Sequence, residues 1–143
     1  FSIRGMSMDY IDTSVLVYAL LYDNDKKSEA ARRILEEVGD GKRTVTTSVI
    51  TISELTWALW KLTKNKEFAM KQVQSLLLLK NIRFVPLSPE ISILSITLMN
   101  TYAKLRPYDA VHLATCVNES ITTIISDDSD FDGINGVQRV RLS

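Results

Sequence analysis

The sequence predicts an α/β fold, a three-layer α/β/α domain built on a mostly parallel central sheet. Short apolar stretches rich in β-branched residues alternate with longer segments of helical periodicity. The segments between successive strands are long enough for helical crossovers, which parallel pairing requires. Acidic residues stand directly after predicted strands or just inside predicted helices, where open α/β sheets gather their ligands at the carboxyl edge.

Taken in order, Met8–Ile11 reads as a short buried strand, and Thr13–Leu21 turns into a helix directly after Asp12. Asp23, Asn24 and Asp25 form a polar break able to cap the next helix. In that helix Ala30, Ala31, Ile34, Leu35 and Val38 recur at helical spacing, and Gly39 and Gly41 end it. Arg43–Thr47 is β-branched and predicts a strand; Ser48 then caps a helix striped by Leu55, Ala58, Leu59 and Leu62. A further helix is predicted over Lys66–Lys80 and a strand over Ile82–Val85. Ser88, Pro89 and Glu90 start a helix that runs to about Leu105: a capping hydroxyl, a first-turn proline and an acid at the positive end. Pro107 opens the next helix, ending near Asn118; Ile121–Ser126 is a strand, Asp127–Gly136 a polar loop and Val137–Leu142 a closing strand.

The chain of 143 residues predicts one domain over 8–143, preceded by an N-terminal extension at 1–7. A chain of this size buries roughly two-thirds of its unfolded surface, enough for a core. The 45% hydrophobic and 24% charged residues are those of an ordinary soluble globule. Seventeen basic and seventeen acidic residues cancel, so net charge does not advertise a polyanionic partner, although site carboxylates can mask a basic rim in the sum. Cys116 is alone among Ala114, Thr115 and Val117, which reads as a buried helix face rather than a redox centre and fits a reducing cytoplasm. No apolar run approaches the roughly 20 residues of a membrane span, and no signal peptide is expected.

Four acids carry the chemistry: Asp12 after the first strand, Glu54 in the first turns of the helix near Ser48, Asp109 just inside the helix opened by Pro107, and Asp128 after the strand Thr122–Ser126. Each has a plainer reading. Asp12 suits a helix cap, Glu54 a solvated face, Asp109 a helix N-terminus, and the trio Asp127, Asp128 and Asp130 a polar turn. Together they place carboxylates at one sheet edge. Such groups repel unless a cation neutralises them, and hard oxygen ligands select Mg²⁺ or Mn²⁺.

Four segments carry a family resemblance: Tyr10-Ile-Asp12-Thr-Ser14, Ser48–Leu55 with Glu54, Tyr108-Asp109-Ala-Val-His-Leu-Ala114, and Ser126-Asp-Asp128-Ser-Asp130-Phe131. In this order and spacing the chain resembles a PIN-domain protein, and within that superfamily a VapC-type toxin nuclease. The resemblance spans Met8–Leu142. It implies a metal pocket formed by Asp12, Glu54, Asp109 and Asp128, with Ser14, Ser126 and Asp130 as supporting positions. Within it Asp12 and Asp109 read as the principal metal ligands, Asp128 as a ligand often through water, and Glu54 as an outer or water-activating group. The acids at 127, 128 and 130 permit more than one register; Asp128 is preferred because it stands three before Phe131. The resemblance further implies RNA as substrate, an antitoxin protein as partner and a homodimer.

His112, the one histidine, follows Asp109 by one helical turn and is read as packed rather than as a general base. Trp57 and Trp60 can stack a base, but with Ile34 and Leu35 read better as a core or partner surface. Lys42, Arg43, Lys61, Lys64, Lys104 and Arg106 flank the acids as candidate phosphate contacts. The leading expectation is a metal-dependent endoribonuclease of a toxin–antitoxin pair. The alternatives are a catalytically weak PIN-like binding module, a PIN nuclease of RNA processing, and an aspartyl-phosphate enzyme. The last wants a second acid at position 14, where the chain has serine.

Overall fold

In the computed structural model, residues 8–23 and 25–143 are described; the expectations for 1–7 and for Asn24 fall outside them. The chain forms β1 (Asp9–Ile11), α1 (Thr13–Leu21), α2 (Lys26–Gly39), β2 (Val45–Ser48), α3 (Ile50–Thr63), α4 (Lys66–Leu77), β3 (Ile82–Val85), α5 (Pro89–Thr101), α6 (Pro107–Asn118), β4 (Thr123–Ile125), a 3₁₀ turn at Ser129–Phe131 and β5 (Gln138–Val140). The five strands make one sheet in the order β3-β2-β1-β4-β5, and all of its pairings are parallel.

Alternation along the central strands separates two cores. Ile11, Val45 and Ile125 face one side, where they pack with Val15 and Leu16 of α1, Ile34 of α2, Leu55 and Leu59 of α3 and Val73 of α4. Their neighbours Tyr10 and Ile124 face the other side, with Leu113 and Cys116 of α6 and Phe131. The result is helices on both faces of a parallel sheet, as the sequence predicts.

Local chemistry sets the helix starts. Asp12 accepts the Ser14 N–H at 3.0 Å, Asp25 accepts the Ser28 N–H at 2.7 Å and Ser88 accepts the Ile91 N–H at 3.2 Å. After α2, Gly41 takes a left-handed φ of 76°, which glycine adopts without a Cβ clash.

Several boundaries differ from those predicted, for tertiary reasons. The second strand is Val45–Ser48 rather than 43–47, because pairing with β3 carries it to Ser48 and the Val49 N–H continues the ladder to the Val85 carbonyl. Ser48 therefore ends the strand, although its hydroxyl still accepts the Ile50 N–H at 3.2 Å. Helix α4 stops at Leu77 instead of Lys80: the Leu79 N–H bonds back to Leu76 in a tight turn, leaving Leu77 and Leu78 exposed. Helix α5 stops at Thr101, where Tyr102 turns extended and drops Leu105 into the second core.

The strand order has a functional consequence. From β1 the chain moves outward to β2 and β3, then returns to place β4 on the other flank of β1. The carboxyl ends of β1 and β4 thus form the switch point of the sheet, the position where open α/β sheets bind ligands.

Candidate active site

Asp12 follows β1 and is almost wholly buried at the switch point, 6% exposed. Both of its oxygens are held. Oδ1 accepts the Ser14 N–H at 3.0 Å and the Ser14 hydroxyl at 2.5 Å, and Oδ2 accepts the Ser126 hydroxyl at 2.7 Å. The two hydroxyls in turn accept backbone donors from the loop after β4: Asp127 N–H on Ser14 Oγ at 3.2 Å and Asp128 N–H on Ser126 Oγ at 2.9 Å. Asp12 is consequently the N-cap of α1 and, at the same time, a buried carboxylate tied to the loop after β4. Burial pushes its carboxyl above the ordinary carboxylate range, against the donors of Ser14 and Ser126.

Among the described residues, Asp109, Asp128 and Asp130 each offer one carboxylate oxygen, and these three oxygens lie within 4.8 Å of one another. Asp109 comes from the first turn of α6, where its Oδ2 accepts the Arg106 N–H at 3.3 Å. Asp128 and Asp130 come from the loop after β4, where Asp128 Oδ1 accepts the Asp130 N–H at 2.9 Å. Burial raises the Asp109 carboxyl, the Arg106 N–H opposes this, and the charges of Asp128 and Asp130 add to the rise. Asp12 is not one of the three but is tied to their loop through Ser126.

Asp127 is engaged elsewhere. It accepts the Tyr18 hydroxyl at 2.9 Å and pairs with Lys27 at 2.7 Å. Burial acts to raise its carboxyl, but Lys27 and Tyr18 together outweigh this and hold it below its ordinary value.

Glu54 projects from the second turn of α3 and is three-quarters covered. Its Oε1 accepts the Thr13 hydroxyl at 2.8 Å and lies 2.7 Å from His112 Nε2. Burial acts to raise this carboxyl, but the His112 contact and the Thr13 hydroxyl override it and leave it lowered. Glu54 is thereby fastened to α1 beside Asp12 and to α6 one turn after Asp109. It also stands in a groove of about 530 Å³ walled by Ile50, Ser53, Trp57, Leu87 and Tyr108.

Three contributors escaped the sequence reading. Thr13 was visible only as the residue after Asp12. Tyr10 read as strand core, which it is, yet its hydroxyl meets His112 Nδ1 at 2.5 Å. His112 is packed as expected, 3% exposed, but the packing leads into the site. Of the residues read as a partner surface, Ile34 is buried and Leu35 is partly buried against the first core. Trp57 and Trp60 are exposed and meet edge to face, ring centres 5.5 Å apart. Of the flanking cations, Arg43 is engaged by Asp9 and Glu37, and Lys104 by the Asp132 carbonyl, whereas Arg106 is 80% exposed beside Asp109.

All three clustered donors are carboxylates from two neighbouring segments, a set that fits a hard divalent cation such as Mg²⁺ or Mn²⁺ better than a soft one. The PIN domain pattern matches residues 10–137, a span that holds every one of these acids. The chain belongs to the PIN-domain family. This PIN domain is also similar in fold to solved toxin structures. A toxin-antitoxin complex from Klebsiella pneumoniae is 24% identical, with a TM-score of 0.64 over 91% of this chain and 95% of that one. VapBC2 from Rickettsia felis, bound to a DNA fragment from its promoter, is 17% identical, with a TM-score of 0.71 over 94% and 98%. VapC20 from Mycobacterium tuberculosis, a sarcin-ricin loop cleaving toxin, is 18% identical, with a TM-score of 0.70 over 90% and 95%. No curated protein matches the chain in sequence. Among the described residues no helix is long and apolar enough to cross a membrane.

Proposed function

We propose that this PIN domain is an endoribonuclease dependent on Mg²⁺ or Mn²⁺ and the toxin of a toxin–antitoxin pair. The observation that carries the reading is the convergence of Asp109, Asp128 and Asp130 within 4.8 Å, joined through Ser126 to Asp12 at the switch point of a PIN sheet. In this reading Asp12, Asp109 and Asp128 hold the ion and Asp130 supports them. A bound divalent ion would supply positive charge against the scissile phosphate and acidify the attacking water. Ser14 and Ser126 keep Asp12 in one orientation. Glu54, whose hydrogen bonds among the described residues are on Oε1, offers Oε2 to orient the water and take its proton. Arg106 reaches for phosphate from its exposed place beside Asp109, and bases can stack on Trp57 and Tyr108 along the groove beside Glu54.

The toxin assignment draws on neighbours that are themselves toxins or toxin–antitoxin complexes. An antitoxin segment entering the cleft would present Arg or Lys to the carboxylates, since charge-assisted pairs are the strong ones. Exposed Trp60, Ile93 and Ile96 support a homodimer. A buried lone Cys116 is compatible with a reducing cytoplasm. The test is cleavage of mixed RNA with Mn²⁺, with EDTA, and by Asp12→Asn. Wild type should cut only with metal, and the variant should be impaired by orders of magnitude. Undiminished cutting in EDTA or by the variant contradicts the reading.

A further inference from the structure

We infer that Tyr10 and His112 form a buried positioning relay that fixes Glu54 as a hydrogen-bond acceptor on Oε1 and leaves Oε2 to the water consumed in the reaction. The inference rests on the nuclease reading for what Glu54 does, but the relay itself stands on geometry. Tyr10 lies on β1 with no exposure, and His112 lies on α6 with 3%. Their rings meet edge to face, centroids 5.6 Å apart at 66°. Tyr10 Oη is 2.5 Å from Nδ1, and Nε2 is 2.7 Å from Glu54 Oε1. One imidazole thus joins a phenol of the second core to an acid of the site.

The donors point one way along this chain. A tyrosine phenol carries its proton at neutral pH, and the ring nitrogen within its reach as an acceptor is Nδ1. In the neutral ring Nδ1 then carries the lone pair and Nε2 carries the proton. Nε2–H donates to Glu54 Oε1, where the Thr13 hydroxyl donates as well at 2.8 Å. Two donors on one oxygen select the carboxylate and hold its rotamer. The opposite tautomer would set a nitrogen lone pair against that oxygen and require a protonated Glu54, useless as a base. A histidine serving only to fill space would need neither the phenol nor the direction.

The chain has one histidine, so a long-range ¹H–¹⁵N spectrum of the full chain reports this ring alone. In metal-free protein near neutral pH, Nδ1 should be unprotonated and Nε2 protonated. The reverse tautomer, or an imidazolium, overturns the relay. Kinetics give the second reading. His112→Gln keeps a donor near the Nε2 position and His112→Leu removes it. With RNA and Mn²⁺, His112→Leu should lower kcat by about 100-fold, the lower end of what a positioned base contributes, with KM little changed. His112→Gln should recover most of that loss. Tyr10→Phe should shift the ring toward mixed tautomers with a smaller fall in kcat, and it carries the test should His112→Leu not fold. Equal kcat in the Gln and Leu variants, or a loss confined to KM, contradicts the inference while leaving the nuclease reading intact. A wild type that never cleaves RNA sinks that reading instead, and the tautomer still decides the relay.

Discussion

Ser126 Oγ stands 2.7 Å from Asp12 Oδ2 and accepts the Asp128 N–H at 2.9 Å, so one hydroxyl joins the end of β1 to the loop after β4. The residues are 114 apart in sequence, and the contact exists because β1 and β4 are paired neighbours at the switch point. Orientation of the buried carboxylate and placement of the acidic loop are therefore one event. Ser126→Ala should leave the fold standing but weaken Mn²⁺ binding by about 10–100-fold, the usual effect of removing a group that orients a ligand. Titration calorimetry reads this directly, and unchanged affinity would show that the hydroxyl is only structural.

Asp109 gives a dependence on pH whose sign is fixed by its raised carboxyl. An acid with a folded pKa above its unfolded value binds its proton more tightly in the folded chain. Its contribution to stability is greatest below the ordinary value of 3.8 and declines as pH rises through the folded value. Asp12, also raised, acts in the same direction. In EDTA, Asp109→Asn should gain stability relative to wild type on going from acid to neutral pH, by about 2–4 °C in Tm for each kcal/mol relieved. Mn²⁺ should reverse the order by stabilising wild type alone. A difference in Tm that does not change with pH would count against the electrostatic account.

Asp127 and Asp128 are adjacent, yet their surroundings differ. Lys27 and Tyr18 hold the first, while the second joins the acidic group. Asp128→Asn should reduce RNA cleavage by orders of magnitude and Asp127→Asn by no more than a few-fold, measured side by side at saturating Mn²⁺. The reverse ranking would move the register of the site by one residue.

Asp12→Asn and Asp109→Asn should each abolish most cleavage, and the double variant should be little worse than either, because residues acting as a unit are strongly non-additive. Multiplying effects in single-turnover assays would mean that the two aspartates act separately.

The acids were legible in the sequence because each follows a strand or opens a helix, and strand ends and helix starts are what an α/β pattern exposes. Asp12 was readable as a cap, which it is, and the position after β1 that suggested a site residue stands at the switch point of the sheet. The hydrogen bonds that set Glu54 were not legible. Thr13 reaches it across 41 residues and His112 across 58, and helical periodicity marks His112 only as buried. The same limit holds for Ile34: a helical stripe shows that a face is apolar, not whether it packs into the chain's own core, as Ile34 does. Strand ends slipped at β2 because pairing with β3, rather than local propensity, decides where it stops.

The most direct measurement is calorimetric titration of Mn²⁺ into the wild type, Asp12→Asn, Asp109→Asn and the control Asp127→Asn. The account predicts a saturable site in the wild type and the control, weakened at least tenfold in the other two. Equal binding by all four proteins would show that the converged aspartates do not hold the metal, and would contradict the account at its centre.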